Sequence, residues 1–284
     1  MDLIHDLRTW RFWRHFLTRW FALLGGIFSI IQGIVAFFPA SASFFQGWIV
    51  LLIVALASAA GGLIWAWPRP IGQEYNLPNT KISIVKGDIL RESTHLVIGT
   101  CDTFDTETPS IIARDSLQGQ VLNKLYGGNL QHLNLHLANA LANHPITGTI
   151  VKPGKTDQYA IGTVATVIDG ARKLFFLAYT EMDARNVASG SPDGVWKSLL
   201  SLWDEIHAVG NGEPVAIPVI GGGQARLSSV LPSQDSIRFI ALSFMLASRG
   251  KKICDELRIV VRPSDYHRLD RLELQAFLSS LRAS

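Results

Sequence analysis

The run Pro214-Val215-Ala216-Ile217-Pro218-Val219-Ile220-Gly221-Gly222-Gly223-Gln224-Ala225-Arg226 decides how this chain is read. Residues 214–220 are apolar and rich in β-branched side chains, the pattern of a buried strand. Three glycines follow at once. They let backbone N–H groups turn toward a bound anion. The stretch is not a P-loop, because the GK[ST] ending is missing. Taken alone, a plain turn and a phosphate cradle fit it about equally. An earlier loop has a similar position. Lys86-Gly87-Asp88-Ile89-Leu90 leaves a strand predicted over 81–86. An aspartate there can accept a hydrogen bond from an exocyclic amine such as adenine's. On this stretch alone a turn-forming aspartate is the better reading.

The neighbouring sequence alternates in the same way. Strands are predicted over 95–98, 159–168, 173–179 and 257–261, with Asp169-Gly170 as a hairpin turn. Helices are predicted over 117–126, 130–141, 195–209 and 233–249, the last closed by Gly250 in a C′ role. Ser264 is predicted to cap a final helix to Leu281. Alternating strands and helices argue an α/β fold, a mixed sheet with helices on both faces.

Upstream the composition changes. No Asp, Glu, Lys, Arg or His occurs between Trp20 and Pro68. A transmembrane helix needs about 20 apolar residues, so this window holds two: 20–38 and 44–67. Pro39-Ala-Ser-Ala-Ser43 is the turn between them. Arg8, Arg11, Arg14 and Arg19 precede the pair and Arg69 follows it, which places both chain ends on the cytoplasmic side. Trp20, Trp48, Trp65 and Trp67 are candidate interfacial anchors. A secretory signal is disfavoured, because its apolar region spans about 7–15 residues and no second span follows it. Residues 1–19 read either as a basic amphipathic helix lying on the inner leaflet or as a positive flank that sets topology. Gly25, Ser29 and Gly33 form one stripe of small residues, and Ser58, Gly62 and Ala66 another. Either stripe could pack the hairpin onto itself or pack hairpins of several chains. Gln32 and Gln46 hint at a bundle interior. The expected organisation is a basic segment 1–19, a hairpin 20–68, a linker 69–80 and a ligand-binding domain 81–284.

The whole chain of 284 residues is 48% hydrophobic and only 17% charged, with net charge +3. Soluble domains average about 25% charged residues, so the deficit fits the apolar window and excludes a disordered chain. Outside the first 19 residues the charge nearly cancels, which argues against a nucleic-acid partner. Two cysteines, Cys101 and Cys254, are too few for a disulfide framework. The eight histidines show no metal-ligand spacing, so no metal is expected.

Together, Val85-Lys86-Gly87-Asp88-Ile89, Gly99-Thr100-Cys101-Asp102, Ser116-Leu117-Gln118-Gly119-Gln120 and Ile217-Pro218-Val219-Ile220-Gly221-Gly222-Gly223 resemble a macrodomain, the ADP-ribose-binding fold. The order of these segments carries the resemblance more than any one of them. It implies a three-layer α/β/α domain and a ligand site with Asp88 and Ile89 at adenine. It implies that Ser116, Leu117, Gln118, Gly119 and Gln120 clasp the diphosphate together with Gly221, Gly222, Gly223, Gln224, Ala225 and Arg226. Thr100, Cys101 and Asp102 stand where macrodomains carry an Asn-Ala-Ala-Asn run beside the distal ribose. Gln118 stands where hydrolytic members often carry an acid, and glutamine is no general base at neutral pH. Ala225 stands where an aromatic ring often flanks the distal ribose, which leaves room for a larger distal group. Cys101 reads as a packed thiol rather than a nucleophile.

Two spans followed by this divergent macrodomain resemble the membrane effector of Thoeris anti-phage defence. Cys101-Asp102-Thr103-Phe104-Asp105-Thr106 and the 116–120 segment carry that closer likeness. It implies a non-enzymatic effector at the inner membrane with no cofactor. A partner TIR-domain enzyme would supply an ADP-ribose conjugate, histidine-ADP-ribose. Binding would drive homo-oligomerisation and membrane disruption. Asp102 or Asp105 could then pair with a cationic end of the conjugate. The alternatives are a membrane-tethered ADP-ribosyl hydrolase and a module that docks ADP-ribosylated proteins.

Overall fold

The computed structural model describes residues 10–66, 70–221 and 230–282, and for Arg11 the backbone alone. The chain divides into two units, Met1–Arg69 and Pro70–Ser284.

In the first unit, α1 (Trp10–Phe37) and α2 (Trp48–Ala66) are joined by a 3-10 turn, Pro39–Phe45. Both helices are long and apolar enough to cross a membrane. At 1.5 Å per residue, α1 measures about 42 Å and α2 about 28 Å, against a hydrocarbon thickness of about 30 Å. Helix α1 therefore runs unbroken through Arg14 and Arg19, so a separate surface helix is not formed by residues 10–19. Residues 1–9 lie outside the described residues, as does Trp67. The helices pack through the second small-residue stripe. Ser58 and Gly62 are buried, and a Cβ on Gly62 would lie 3.2 Å from the Trp20 backbone. Trp20 is half-buried at that contact. Its indole Nε1 donates to Ala55 O at 3.2 Å and Ser58 Oγ at 3.1 Å, within the hairpin. Arg19 lies over the Trp65 ring at 4.4 Å. By contrast, a Cβ on Gly25 or Gly33 would meet nothing within 4 Å, and Gln32 is exposed. The first stripe and Gln32 thus take no part in packing this hairpin.

The second unit is built on one mixed sheet. Its strands are β1 (Ile71–Asn76), β2 (Asn79–Lys86), β3 (His95–Cys101), β6 (Val164–Asp169), β7 (Arg172–Met182), β8 (Ala188–Ser189), β9 (Val215–Pro218) and β10 (Glu256–Val261). Their order is β1-β2-β10-β9-β3-β7-β6, with β8 on the end of β7. The central run from β2 to β7 is parallel, and β1 and β6 are antiparallel edges. Residues expected to be a linker therefore form β1, paired along its length with β2. The stretch read as one strand over 159–168 is two: β5 (Asp157–Tyr159), which pairs with β4 (Ile146–Thr149) in a separate ribbon, and β6. The Asp169-Gly170 hairpin forms as expected, Asp169 pairing with Arg172 and Gly170 at φ +62°.

Strand alternation sends side chains into two cores. Ile82, Ile84, Ile217, Ile259, Phe175 and Leu177 face α5 (Pro192–Val209), α6 (Ser233–Gly250) and α8 (Arg271–Ser280). Trp203 of α5 is fully buried there and donates to Ser243 Oγ of α6 at 3.0 Å. Leu96, Ile98, Leu174 and Phe176 face α3 (Leu117–Lys124) and α4 (Leu130–Leu141) on the other side. Two predicted helix ends differ. Gly250 is the last helical residue and has no left-handed φ, and Lys251 is the cap. Ser264 lies inside a one-turn helix α7 (Pro263–Tyr266), and Asp270 caps α8 by accepting from Glu273 N.

Candidate functional site

Parallel strands end on the same edge of a sheet, and ligands of open α/β sheets bind outside those carboxyl ends. A cavity of about 570 Å³ opens there, across the ends of β2, β10, β9, β3 and β7. That volume is in the range of small-molecule sites.

At the β2 end, Asp88 caps a 3-10 turn, Ile89–Arg91, and its Oδ1 accepts from Leu90 N at 3.1 Å. Its Oδ2 lies 3.0 Å from Lys124 Nζ, with both side chains partly exposed. Burial pushes the Asp88 carboxyl up. The Lys124 ammonium and the Leu90 N–H outweigh it, so the group is held below its ordinary value. Asp88 and Ile89 both line the cavity.

The loop before α3 forms the next wall. Ser116 caps the helix, Oγ accepting from Gly119 N at 3.1 Å and donating to Ala113 O at 2.6 Å. A Cβ on Gly119 would lie 2.4 Å from Ala113 O, so only glycine permits this turn. Ser116, Leu117, Gln118 and Gln120 line the cavity, while Gly119 supports it from behind. The Gln118 side chain turns inward and donates to the Asp105 carbonyl. Across the cavity, Gly221 adopts φ +91° just after Ile220, whose carbonyl accepts from Ser236 Oγ at 2.6 Å. Gly222, Gly223, Gln224, Ala225 and Arg226 lie outside the described residues.

Thr100 and Cys101 line the floor, where the β3–β7 register shifts. Burial pushes the Cys101 thiol up, and its sulfur contacts Thr103 Oγ1 at 3.3 Å. Asp102 does not line the cavity. Its Oδ1 accepts from Met182 N at 2.9 Å and its Oδ2 from Gln158 Nε2 at 3.0 Å. Burial pushes its carboxyl above the usual range despite those donors. Asp105 is more deeply committed. It is fully buried, pairs with Lys152, whose side chain is also buried, at 2.5 Å, and accepts from Thr103 Oγ1 at 2.5 Å and Lys155 N at 2.8 Å. Gly154, at φ +90°, lets the 152–155 loop wrap this carboxylate, since a Cβ there would lie 2.5 Å from Asp105 Oδ1. Neither aspartate is placed to meet a ligand cation. Both tie loops together behind the site.

Several lining residues escaped the sequence reading. Tyr179 on β7 is one. A Cβ on Gly99 would lie 2.5 Å from Tyr179 Cε1, so the glycine makes room for the ring. Burial pushes its phenol up to about 12, with the Gly221 N–H drawing it the other way. A lone glycine inside a strand marks such a close approach, and Gly99 was the available signal. Ile111, Ile112 and Asn186 also line the cavity, but their loops carry no motif. Among the described residues no group of three His, Cys, Asp or Glu side chains is placed to hold a metal ion.

The family described as the Thoeris protein ThsA macro domain matches residues 82–262. The chain belongs to that family. The match begins in β2, ends just after β10 and takes in all the described lining residues but Asp265. Solved structures agree on the fold. A point mutant of the Oceanobacillus iheyensis macrodomain aligns with TM-score 0.51 at 11% identity, over 75% of this chain and 96% of that one. The same macrodomain with MES bound aligns with TM-score 0.50 at 13% identity, over 74% and 97%. No curated protein matches the sequence. The ThsA macro domain is thus preceded here by two helices long enough to span a membrane.

Proposed function

We propose that this chain is a membrane-anchored defence effector whose macrodomain binds an ADP-ribose conjugate and does not cleave it. The observation that carries the reading is the cavity at the strand ends, bounded by an exchangeable carboxylate at Asp88 and by the tightly capped Ser116 loop. Asp88 accepts the adenine amine, displacing Lys124 toward Gln120 Oε1, which already lies 2.9 Å from it. The α3 loop and the Gly221 loop face the diphosphate. Gln118 supports binding without turnover. It offers no base, and its amide is engaged with the Asp105 carbonyl. The reading extends to a conjugate such as histidine-ADP-ribose supplied by a TIR-domain enzyme, to residence in the inner membrane with both termini cytoplasmic, and to ligand-driven homo-oligomerisation that disrupts the bilayer. The outward Gly25, Ser29 and Gly33 stripe favours the last step, because it is free to pack against another hairpin. A ligand shifts assembly only through differential affinity, and moving from 1% to 99% takes about 5.5 kcal/mol.

The test is dye release from vesicles carrying the full chain, with the ligand recovered and analysed afterwards. Release on adding conjugate, abolished by Gly33→Leu, with the ligand intact, is expected. Cleaved ligand would make the chain a hydrolase. Binding without release would leave the helices as a tether.

A further inference from the structure

Tyr179 sits where β7 breaks step. Thr100 of β3 pairs with Ala178 and Cys101 pairs with Thr180, so Tyr179 is the extra residue of a bulge. A bulge re-aims a side chain, and bulges gather beside active sites. This one falls at the carboxyl edge of the sheet, where Gly99, Thr100, Cys101 and Thr180 line the cavity along with Tyr179 itself. The half-buried ring crosses from β7 onto β3. A Cβ on Gly99 would lie 2.5 Å from Tyr179 Cε1 and 3.5 Å from Cζ, so the hydroxyl end of the ring stands over the bare glycine. Beyond β3 the phenol meets the loop after β9, whose Gly221 N–H is directed at it. The carbonyl of that same peptide, Ile220 O, accepts from Ser236 Oγ of α6 at 2.6 Å. The phenol end is thus bounded by Gly99 and by the Ile220–Gly221 peptide, and both Gly99 and Ile220 line the cavity. A phenol oxygen that accepts from a backbone N–H keeps its own proton to donate. Burial holds that proton on the oxygen well past neutral pH. Strands β10 and β9 stand between β2 and β3, so with steps of about 4.8 Å the ring lies roughly 14 Å from the Asp88 end of the edge. That is beyond the reach of an adenosine and level with the second half of an ADP-ribose.

We propose that the Tyr179 hydroxyl donates to an oxygen in the distal half of the bound nucleotide, beyond its first phosphate, and so distinguishes ligands that carry that half from those that lack it. The inference rests on the ligand reading above and adds a contact to it. A ligand that ends at the first phosphate occupies the Asp88 end and leaves the phenol to water. A ligand with a second phosphate and a sugar brings acceptors to a donor that the bulge, Gly99 and the Gly221 peptide already hold in place. Such a donor gains more per hydrogen bond, because little ordering remains to offset it.

The test is calorimetry on the full chain in nanodiscs with ADP-ribose and with AMP, comparing wild type with Tyr179→Phe, which keeps the ring and removes only the hydroxyl. The variant is expected to lose about tenfold or more in affinity for ADP-ribose, the worth of one hydrogen bond, and less than about threefold for AMP. Undiminished affinity for ADP-ribose overturns the proposal. So does an equal loss for both ligands, which would make the hydroxyl a support of the fold. A second measurement does not depend on that variant: 3-fluorotyrosine placed at position 179 alone should shift its fluorine resonance on adding ADP-ribose and not on adding AMP. A resonance that ADP-ribose leaves in place, or that both ligands move alike, contradicts the contact. If wild type binds neither ligand, the ligand reading itself fails, and this inference with it; if wild type binds ADP-ribose and the hydroxyl makes no difference, this inference fails alone.

Discussion

The loop after β2 and the loop after β3 both leave the same edge of the sheet carrying aspartates, yet they do opposite work. Asp88, after β2, is partly exposed and holds a partner, Lys124, that water or a ligand can replace. Asp105, after β3, is fully buried and saturated by Lys152, Lys155 and Thr103. The first carboxylate can recognise something. The second can only hold the protein together. An ion pair half in water is worth about 0–1 kcal/mol, whereas removing one partner of a buried pair costs about 3–5 kcal/mol. Asp105→Ala should therefore destabilise the domain by about 3–5 kcal/mol, because Lys152 is left charged and unpaired in the interior; chemical denaturation measures this. A cost below about 1 kcal/mol would mean that the pair is not buried in solution.

Asp88→Ala sharpens the contrast from the other side. Stability should change by less than about 1 kcal/mol, while affinity for ADP-ribose falls by about 1.5–3 kcal/mol, roughly tenfold to over a hundredfold. Unchanged affinity in the folded variant would remove Asp88 from the site. Gly99→Ala acts between the two loops. Its methyl would collide with the Tyr179 ring, so a loss of about 1–3 kcal/mol in stability is expected, with weakened binding as the ring is pushed into the cavity.

The smallest effect concerns pH. His95, at the start of β3, is buried and accepts from Lys173 N at 3.1 Å through Nδ1. Burial pushes its ring below the ordinary value, although Glu213 beside it pulls the other way. The unfolded chain therefore binds more protons than the folded one just below pH 6.5. The stability due to neutral His95 is fully present above that pH and is lost as pH falls through the folded value. Wild type should lose more stability than His95→Gln between pH 7.5 and 5.5 in parallel unfolding experiments.

Much of the fold was legible because periodicity survives in one sequence. The buried runs of β2, β3, β7, β9 and β10 and the helix at Leu130–Leu141 all announce themselves by pattern. Strand β1 did not. Gln73, Glu74 and Asn76 give it the composition of a linker, and it is a strand because β2 offers an open edge and Tyr75 reaches Leu278 O at 2.7 Å. The capped loop at Ser116 and the aspartate at Asp88 were legible from residue type and order. The fates of Asp102 and Asp105 were not, since their partners come from 47 to 80 residues away in sequence. Nor was the packing of Trp20, which depends on contacts across the hairpin.

The central claim is that the crevice at the strand ends holds an ADP-ribose-type ligand. Hydrogen–deuterium exchange on the full chain in nanodiscs, with and without saturating ADP-ribose, tests it most directly. The account predicts saturable binding of one ligand per chain and added protection at the backbone of residues 87–90, 116–120 and 219–221, with the β4–β5 ribbon unchanged. Absence of saturable binding, or protection confined to segments away from those strand ends, would contradict it.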